Sequence, residues 1–256
     1  MSSLPFKKSA THLVLAAALT GSLLFAGCAE TDPGQLEVAV STGYPILGST
    51  ITIKGSNGET IQATDTAEKG AIAFSRQVLY SRLGNGPYLI QSAGGKANGV
   101  AVTENYFSIA DPASSRSNVT PITHLIAVEA TGAANTDGLK TLFATGYNAA
   151  KAQALTAEKI SKAKETVASA LQLVNPKITI ANYDPLTKPF VYGDDVDKQL
   201  DYLKETMKAS GKTLIDDVQK VVQKRADTTQ TGIDDPFQLI KRVIVFGDSL
   251  SDGGTY

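Results

Sequence analysis

The last fifteen residues carry the clearest chemistry: Arg242-Val-Ile-Val-Phe-Gly-Asp-Ser-Leu-Ser-Asp-Gly-Gly-Thr-Tyr256. Val243 to Phe246 is an apolar run with the length of a short buried strand. Gly247-Asp248-Ser249-Leu250 breaks it, and Ser251-Asp252-Gly253-Gly254 has turn or helix-start chemistry. A serine at the exit of a buried strand is held on a rigid edge and faces a cleft. That placement suits a nucleophile.

The run resembles the first motif block of the GDSL (SGNH) family of serine ester hydrolases. The likeness is local and dense: an apolar strand, then Gly-Asp-Ser-Leu-Ser-Asp, then Gly. By that resemblance Ser249 is the nucleophile and its backbone N–H is one oxyanion-hole donor, while Asp248 and Asp252 shape the turn. The family's other parts, a Gly and an Asn that complete the oxyanion hole and an Asp-x-x-His pair, are expected downstream. The sequence as given ends seven residues past Ser249. Both histidines, His12 and His124, precede the serine, and neither has Asp three residues before it. A serine without a base is a poor nucleophile at neutral pH. The resemblance therefore implies the front part of an esterase, inactive as a 256-residue chain. Its substrate would be an ester of a lipid, a glycan or a small alcohol. The alternative is a non-catalytic surface lipoprotein that binds or acts as a spacer.

The elements that must position and deliver this motif begin with a targeting segment. Lys7-Lys8 is a short positive stretch, and Leu13 to Phe25 is an apolar run too short to span a bilayer comfortably. It ends in Leu24-Phe25-Ala26-Gly27-Cys28, which resembles the bacterial lipoprotein box. That resemblance makes residues 1–27 a signal peptide and Cys28 a lipidated N-terminus anchored in the membrane. Ala29, where an Asp would mark inner-membrane retention, points to the outer membrane of a Gram-negative envelope. Cys28 is the single cysteine, so no internal disulfide supports the fold. Residues 28–34 read as a tether.

Residues 35–110 read as short strands separated by turns. Leu36 to Val40 and Ser49 to Lys54 alternate, Gly55-Ser-Asn-Gly58 signals a hairpin, and runs at 61–63, 71–74, 87–91 and 106–109 follow. This spacing suits a sandwich. The segment from Gly43 to Thr60 resembles the immunoglobulin-like, carboxypeptidase-regulatory-like domains of bacterial surface proteins. Tyr44, Tyr80 and Tyr88 are candidates for a glycan-binding face or for core positions.

Residues 119–226 read as helices. Thr120-Pro121 is an N-cap followed by a first-turn proline, and Gly132 suits the C-terminal end. Apolar stripes follow at 139–150, 160–174, 200–207 and 214–222. Asp194, Asp195 and Asp197 lack the spacing of a calcium loop and read as helix N-terminal charge. His124 reads as a packing residue. No ligand cluster stands at metal spacing, and no cofactor is implied. Residues 227–241 form a linker, and 242–256 begin the hydrolase domain. The expected fold is thus α+β: an N-terminal antiparallel β-sandwich, a helical region, and the first strand of a truncated α/β hydrolase.

Charge is nearly balanced, at −1, and loss of residues 1–27 makes it −3. Lys220 to Arg225 carries three cations on a helical stretch, a solvated face. No basic patch argues for nucleic acid.

Overall fold

The computed structural model describes residues 34–191, 193–209, 211, 218–220 and 222. They form an α+β fold with several helices and sheets whose strands pair antiparallel, save for one parallel pair. The strands are β1 (Gln35–Val40), β2 (Ile46–Leu47), β3 (Thr50–Lys54), β4 (Thr60–Thr64), β5 (Ala71–Ser75), β6 (Tyr88–Ala93), β7 (Lys96–Ala97), β8 (Val100–Ala101), β9 (Tyr106–Ala110) and β10 (Arg116–Val119). The helices are α1 (Arg76–Leu83), α2 (Pro121–Thr131), α3 (Thr136–Thr141), α4 (Ala149–Gln153), α5 (Ala157–Val174) and α6 (Asp195–Ala209).

Strand order is β4-β3-β6-β9 in the larger sheet, β10-β1-β5 in a second, and β2-β7-β8 in a small third. The period of two along each strand decides what the larger sheet touches. In β6, Tyr88 and Ile90 join one apolar cluster while Leu89 joins another. In β9, Tyr106 and Ala110 face the first cluster, and Phe107 and Ile109 the second. The first cluster is shared with Leu36, Val38 and Val40 of β1, so the two sheets close on one core. The second is shared with α2 and α5, so helices cover the other face. This explains why β9 is buried at every residue rather than at alternate ones.

Residues 111–118, between the strand-rich and helix-rich segments of the sequence, return the chain to the sheets. Here β10 pairs in parallel with β1, opposing Arg116 to Glu37, and the guanidinium donates to the carboxylate at 2.6 Å. Asn118 ties the irregular segment after α5 to this strand. Its main-chain N–H donates to Leu186 O at 2.7 Å, and its Nδ2 donates to Pro185 O and Lys188 O at 3.0 and 2.8 Å.

The start of α2 is fixed by a reciprocal capping box. Thr123 N–H donates to Thr120 Oγ1 at 3.1 Å, and Thr120 N–H to Thr123 Oγ1 at 2.8 Å. Gly132 ends the helix in the left-handed region. The stripe expected over 139–150 is not one helix. Leu142–Gly146 forms a π-turn, Asn148 caps a new helix by accepting from Lys151 N–H, and the chain changes direction between them. The widened turn presents Ala144 O to the buried Lys54, whose Nζ donates to it at 2.9 Å.

In α5, Ala163, Val167, Ala170 and Leu171 form the buried face. The helix α1 carries only Leu79 and Leu83 inward, too sparse a stripe to declare itself in sequence. Its end passes over Gly55, where a β-carbon would lie 2.2 Å from Leu83 O. Among the described residues, no helix is long and apolar enough to cross a membrane.

Candidate functional site

A concavity lies between α6 and the loops that flank the small sheet. It is built from three distant stretches of chain. The first is the tight connection after β1, where Gly43 N–H donates to Ser41 Oγ at 3.2 Å and Thr42 N–H to Tyr44 O at 3.1 Å. Here Asp201 Oδ1 of α6 comes so near Gly43 that a β-carbon would sit 2.7 Å away, and Gly43 has φ +92°. Glycine permits both the backbone angle and the approach. The second stretch runs from the β7–β8 hairpin to β9. Its tip, Asn98-Gly99, has φ of 48° and 78°, the positive pair that a tight two-residue hairpin requires. The third is α6. Leu200 and Leu203 are buried, Met207 packs against them, and Lys204 and Lys208 stand exposed beside them.

The concavity has two lobes. One, of about 410 Å³, is floored by Pro121, Leu200, Leu203 and Met207. The other, of about 510 Å³, lies under the hairpin and adds Tyr44, Asn98, Val100 and Thr103. Thr42, Glu104, Tyr106 and Lys204 line both, so they form a polar waist. Tyr106 donates its hydroxyl proton to Glu104 Oε2 at 2.6 Å. Burial, with the adjoining carboxylate, holds the Tyr106 phenol well above its ordinary range, so it remains a donor at any physiological pH. The Lys204 ammonium lies 5.6 Å from the centroid of the Tyr44 ring. Among the described residues, Lys204 makes no ion pair.

The residues singled out from sequence are scattered. Ser249, Asp248, Asp252 and Cys28 lie outside the described residues, as do Leu214 and Val221 of the last stripe. His124 is fully buried on α2, with Nε2 3.0 Å from Thr136 Oγ1 and its ring against Phe107. The three tyrosines separate. Tyr88 is core, its hydroxyl donating to Gly84 O at 2.8 Å and its pKa pushed up to about 12 by burial. Tyr80 is exposed on α1. Only Tyr44 reaches the two-lobed groove. Asp194 caps α6, its Oδ1 accepting from Asp197 N–H at 2.7 Å. Asp197 is buried, and that burial raises its carboxyl pKa despite the Gly193 N–H it accepts, with Asp201 and Asp194 adding to the rise.

The groove residues Thr42, Glu104, Tyr106 and Lys204 carry no sequence signal as a set, because they share no motif and no periodicity. Comparison with known protein families, with curated proteins and with solved structures gives no match.

Proposed function

We propose that this chain is the front part of an exported, lipid-anchored serine hydrolase of the GDSL class, acting on ester bonds. The observation that carries this reading is the run Val243-Ile-Val-Phe-Gly-Asp-Ser-Leu-Ser-Asp-Gly253. In it Ser249 Oγ attacks the ester carbonyl and a histidine takes its proton. Backbone N–H groups, that of Ser249 among them, hold the oxyanion. The alcohol leaves with the proton returned by the histidine, and water then releases the acid from the acyl-enzyme. His124 is unsuited to serve as the base, since it is enclosed between Thr136 and Phe107. The family resemblance puts that histidine after the serine.

On this reading residues 35–110 are an immunoglobulin-like β-sandwich. Support comes from the two sheets that share one core, with α2 and α5 packed on the outer face of one of them. Cys28 is the lipid anchor, and the outer membrane of a Gram-negative envelope is the site of action. The sandwich and helices stand between anchor and hydrolase.

The test uses the native protein in envelopes of the source cell. A fluorophosphonate probe is expected to label it, and Ser249→Ala to abolish the label while an antibody to residues 135–225 still detects the protein. Labelling that survives Ser249→Ala would sink the assignment. A second reading, a non-catalytic lipoprotein that binds a ligand, is favoured by the two-lobed groove. Absence of label from a native protein longer than the 256 residues given would select it.

A further inference from the structure

We propose that the two-lobed groove between α6 and the β7–β8 hairpin binds a nonionic amphiphile: one alkyl chain in the lobe floored by Leu200, Leu203 and Met207, and a hydroxylated head under the hairpin. The inference is independent of Ser249 and stands or falls without the hydrolase reading.

Three observations carry it. The lobes differ in kind. The first is walled mainly by aliphatic and thioether groups of α6, with Lys208 beside them, and the second sets Val100 and Val102 of the hairpin side beside Tyr44, Asn98 and Thr103 with one carboxylate and one ammonium, so it is the more polar of the two. Their volumes, about 410 and 510 Å³, each fall in the range of small-molecule sites, about 300–1,000 Å³. A ligand that fills both is matched best when its more polar end lies under the hairpin.

The waist is electrically balanced, which settles the head. Glu104 and Lys204 carry opposite charges and line both lobes. Glu104 Oε2 is engaged by Tyr106, and Oε1 has no hydrogen-bond partner among the described residues. A carboxylate head would gain from Lys204 and be opposed by Glu104, and an ammonium head the reverse. A neutral head with hydroxyl groups donates to the one and accepts from the other, and opposes neither. Tyr44 adds an aromatic surface, and Asn98 supplies a side-chain amide that both donates and accepts.

The waist is also preorganised. The Tyr106 side chain is largely buried and fixes the Glu104 carboxylate by a 2.6 Å bond, while the Tyr44 ring is paired with the Lys204 ammonium. Binding then needs little ordering of protein groups.

The test is calorimetric titration of the full-length protein with alkyl glucosides below their micelle concentrations. Octyl glucoside is expected to saturate one site. Hexyl glucoside is expected to bind about tenfold more weakly, the effect of two methylenes leaving an apolar lobe. Octanoate and octylammonium are each expected to bind about fivefold or more weakly, because each meets one opposing charge. Glu104→Gln and Tyr44→Ala are expected to weaken octyl glucoside about three- to tenfold with unchanged melting temperatures. The chain-length and head-group series use the unmodified protein, so they decide the matter even if a variant fails to fold.

Equal affinity for octanoate and octyl glucoside would overturn the proposal, as would affinity independent of chain length. Sedimentation in the same buffers reads the competing occupant. A dimer that dissociates only when Tyr44 or Leu203 is changed, with no glucoside bound, would assign the groove to a second copy of the chain and overturn the proposal.

Discussion

Asn118 is the residue whose removal tests the architecture most directly. It sits on β10 with its side chain buried, and its Nδ2 donates to Pro185 O and Lys188 O across 67 and 70 residues of sequence. Substitution by alanine deletes both bonds and strands at least the buried Pro185 carbonyl. Two neutral hydrogen bonds contribute about 1 kcal/mol each, and a stranded buried acceptor costs about 1–3 kcal/mol, so Asn118→Ala should lose about 2–4 kcal/mol. For a unit of this size that is a fall in Tm of about 5–12 °C. Urea unfolding with an unchanged m-value is the assay, coupled to hydrogen exchange at the Asn118 amide, which donates to Leu186 O. A control sharpens it. Asn118→Asp puts a carboxylate oxygen against two carbonyl oxygens, so burial should raise its pKa. Its damage should then be full above that raised value and should ease as pH falls, when a protonated oxygen donates again. Stability within about 0.5 kcal/mol of the parent for Asn118→Ala, with the amide still protected, would refute the reasoning.

Other contacts give further outcomes. Gly55→Ala should destabilise by about 2 kcal/mol or more in thermal melts, because its β-carbon would lie 2.2 Å from Leu83 O on rigid backbone; a neutral result would mean that α1 moves freely. Lys54→Met keeps the volume and removes the bond to Ala144 O at the π-turn; Ala144 is exposed, so water can replace it and the cost by urea titration should stay within about 1 kcal/mol. Thr123→Val breaks the capping box and the bond to Phe107 O, and should cost about 1–2 kcal/mol while leaving far-UV helix content nearly intact. Asp197 holds its proton more tightly in the fold than in the unfolded chain, so its contribution favours folding below the ordinary carboxylate pKa and is lost as pH rises through the raised one. Asp197→Asn, which keeps an oxygen for Gly193 N–H, should therefore raise stability at neutral pH and flatten the pH profile on the acid side; an unchanged slope in melts across that range would count against it.

Much of the chain's local order is written in short-range chemistry, and those parts are legible. The strands at 36–40 and 49–54 announce themselves by alternation, that at 106–109 by a short run with strand composition, and α2 by Thr120, Pro121 and Gly132. What sequence hides is what each face meets. Phe107 and Tyr106 are neighbours of similar type, yet one packs under helices and the other between sheets. Tyr88 and Tyr44 look equivalent as aromatic strand or turn residues, and only the pleat direction and the following contacts make one core and the other a groove wall. The break at Leu142–Gly146 was hidden for another reason. Its apolar residues keep helical spacing, while the π-turn depends on Lys54, about ninety residues earlier, accepting a place beneath it.

The groove shows the same limit from the functional side. A motif such as Gly247 to Gly253 can be read because its chemistry needs adjacent residues on one turn. A binding site assembled from 42–44, 97–106 and 200–211 has no such constraint on spacing. What fixes it is the layering. Helices pack on one face of the larger sheet, and α6 comes up to the turn after β1, where the Asp201 carboxylate lies against Gly43. The side of α6 that carries Lys204 and Met207 becomes the wall of a cavity. A larger residue at Gly43 should then act on the groove before it acts on the core. Gly43→Ala is strained at φ +92° and should shift the turn at 41–44, turn the Asp201 carboxylate aside and weaken octyl glucoside, while the sheet register from Glu37 to Val40 keeps its hydrogen-exchange protection. If protection of β1 collapses together with binding, α6 is part of the core rather than a wall leaning on it.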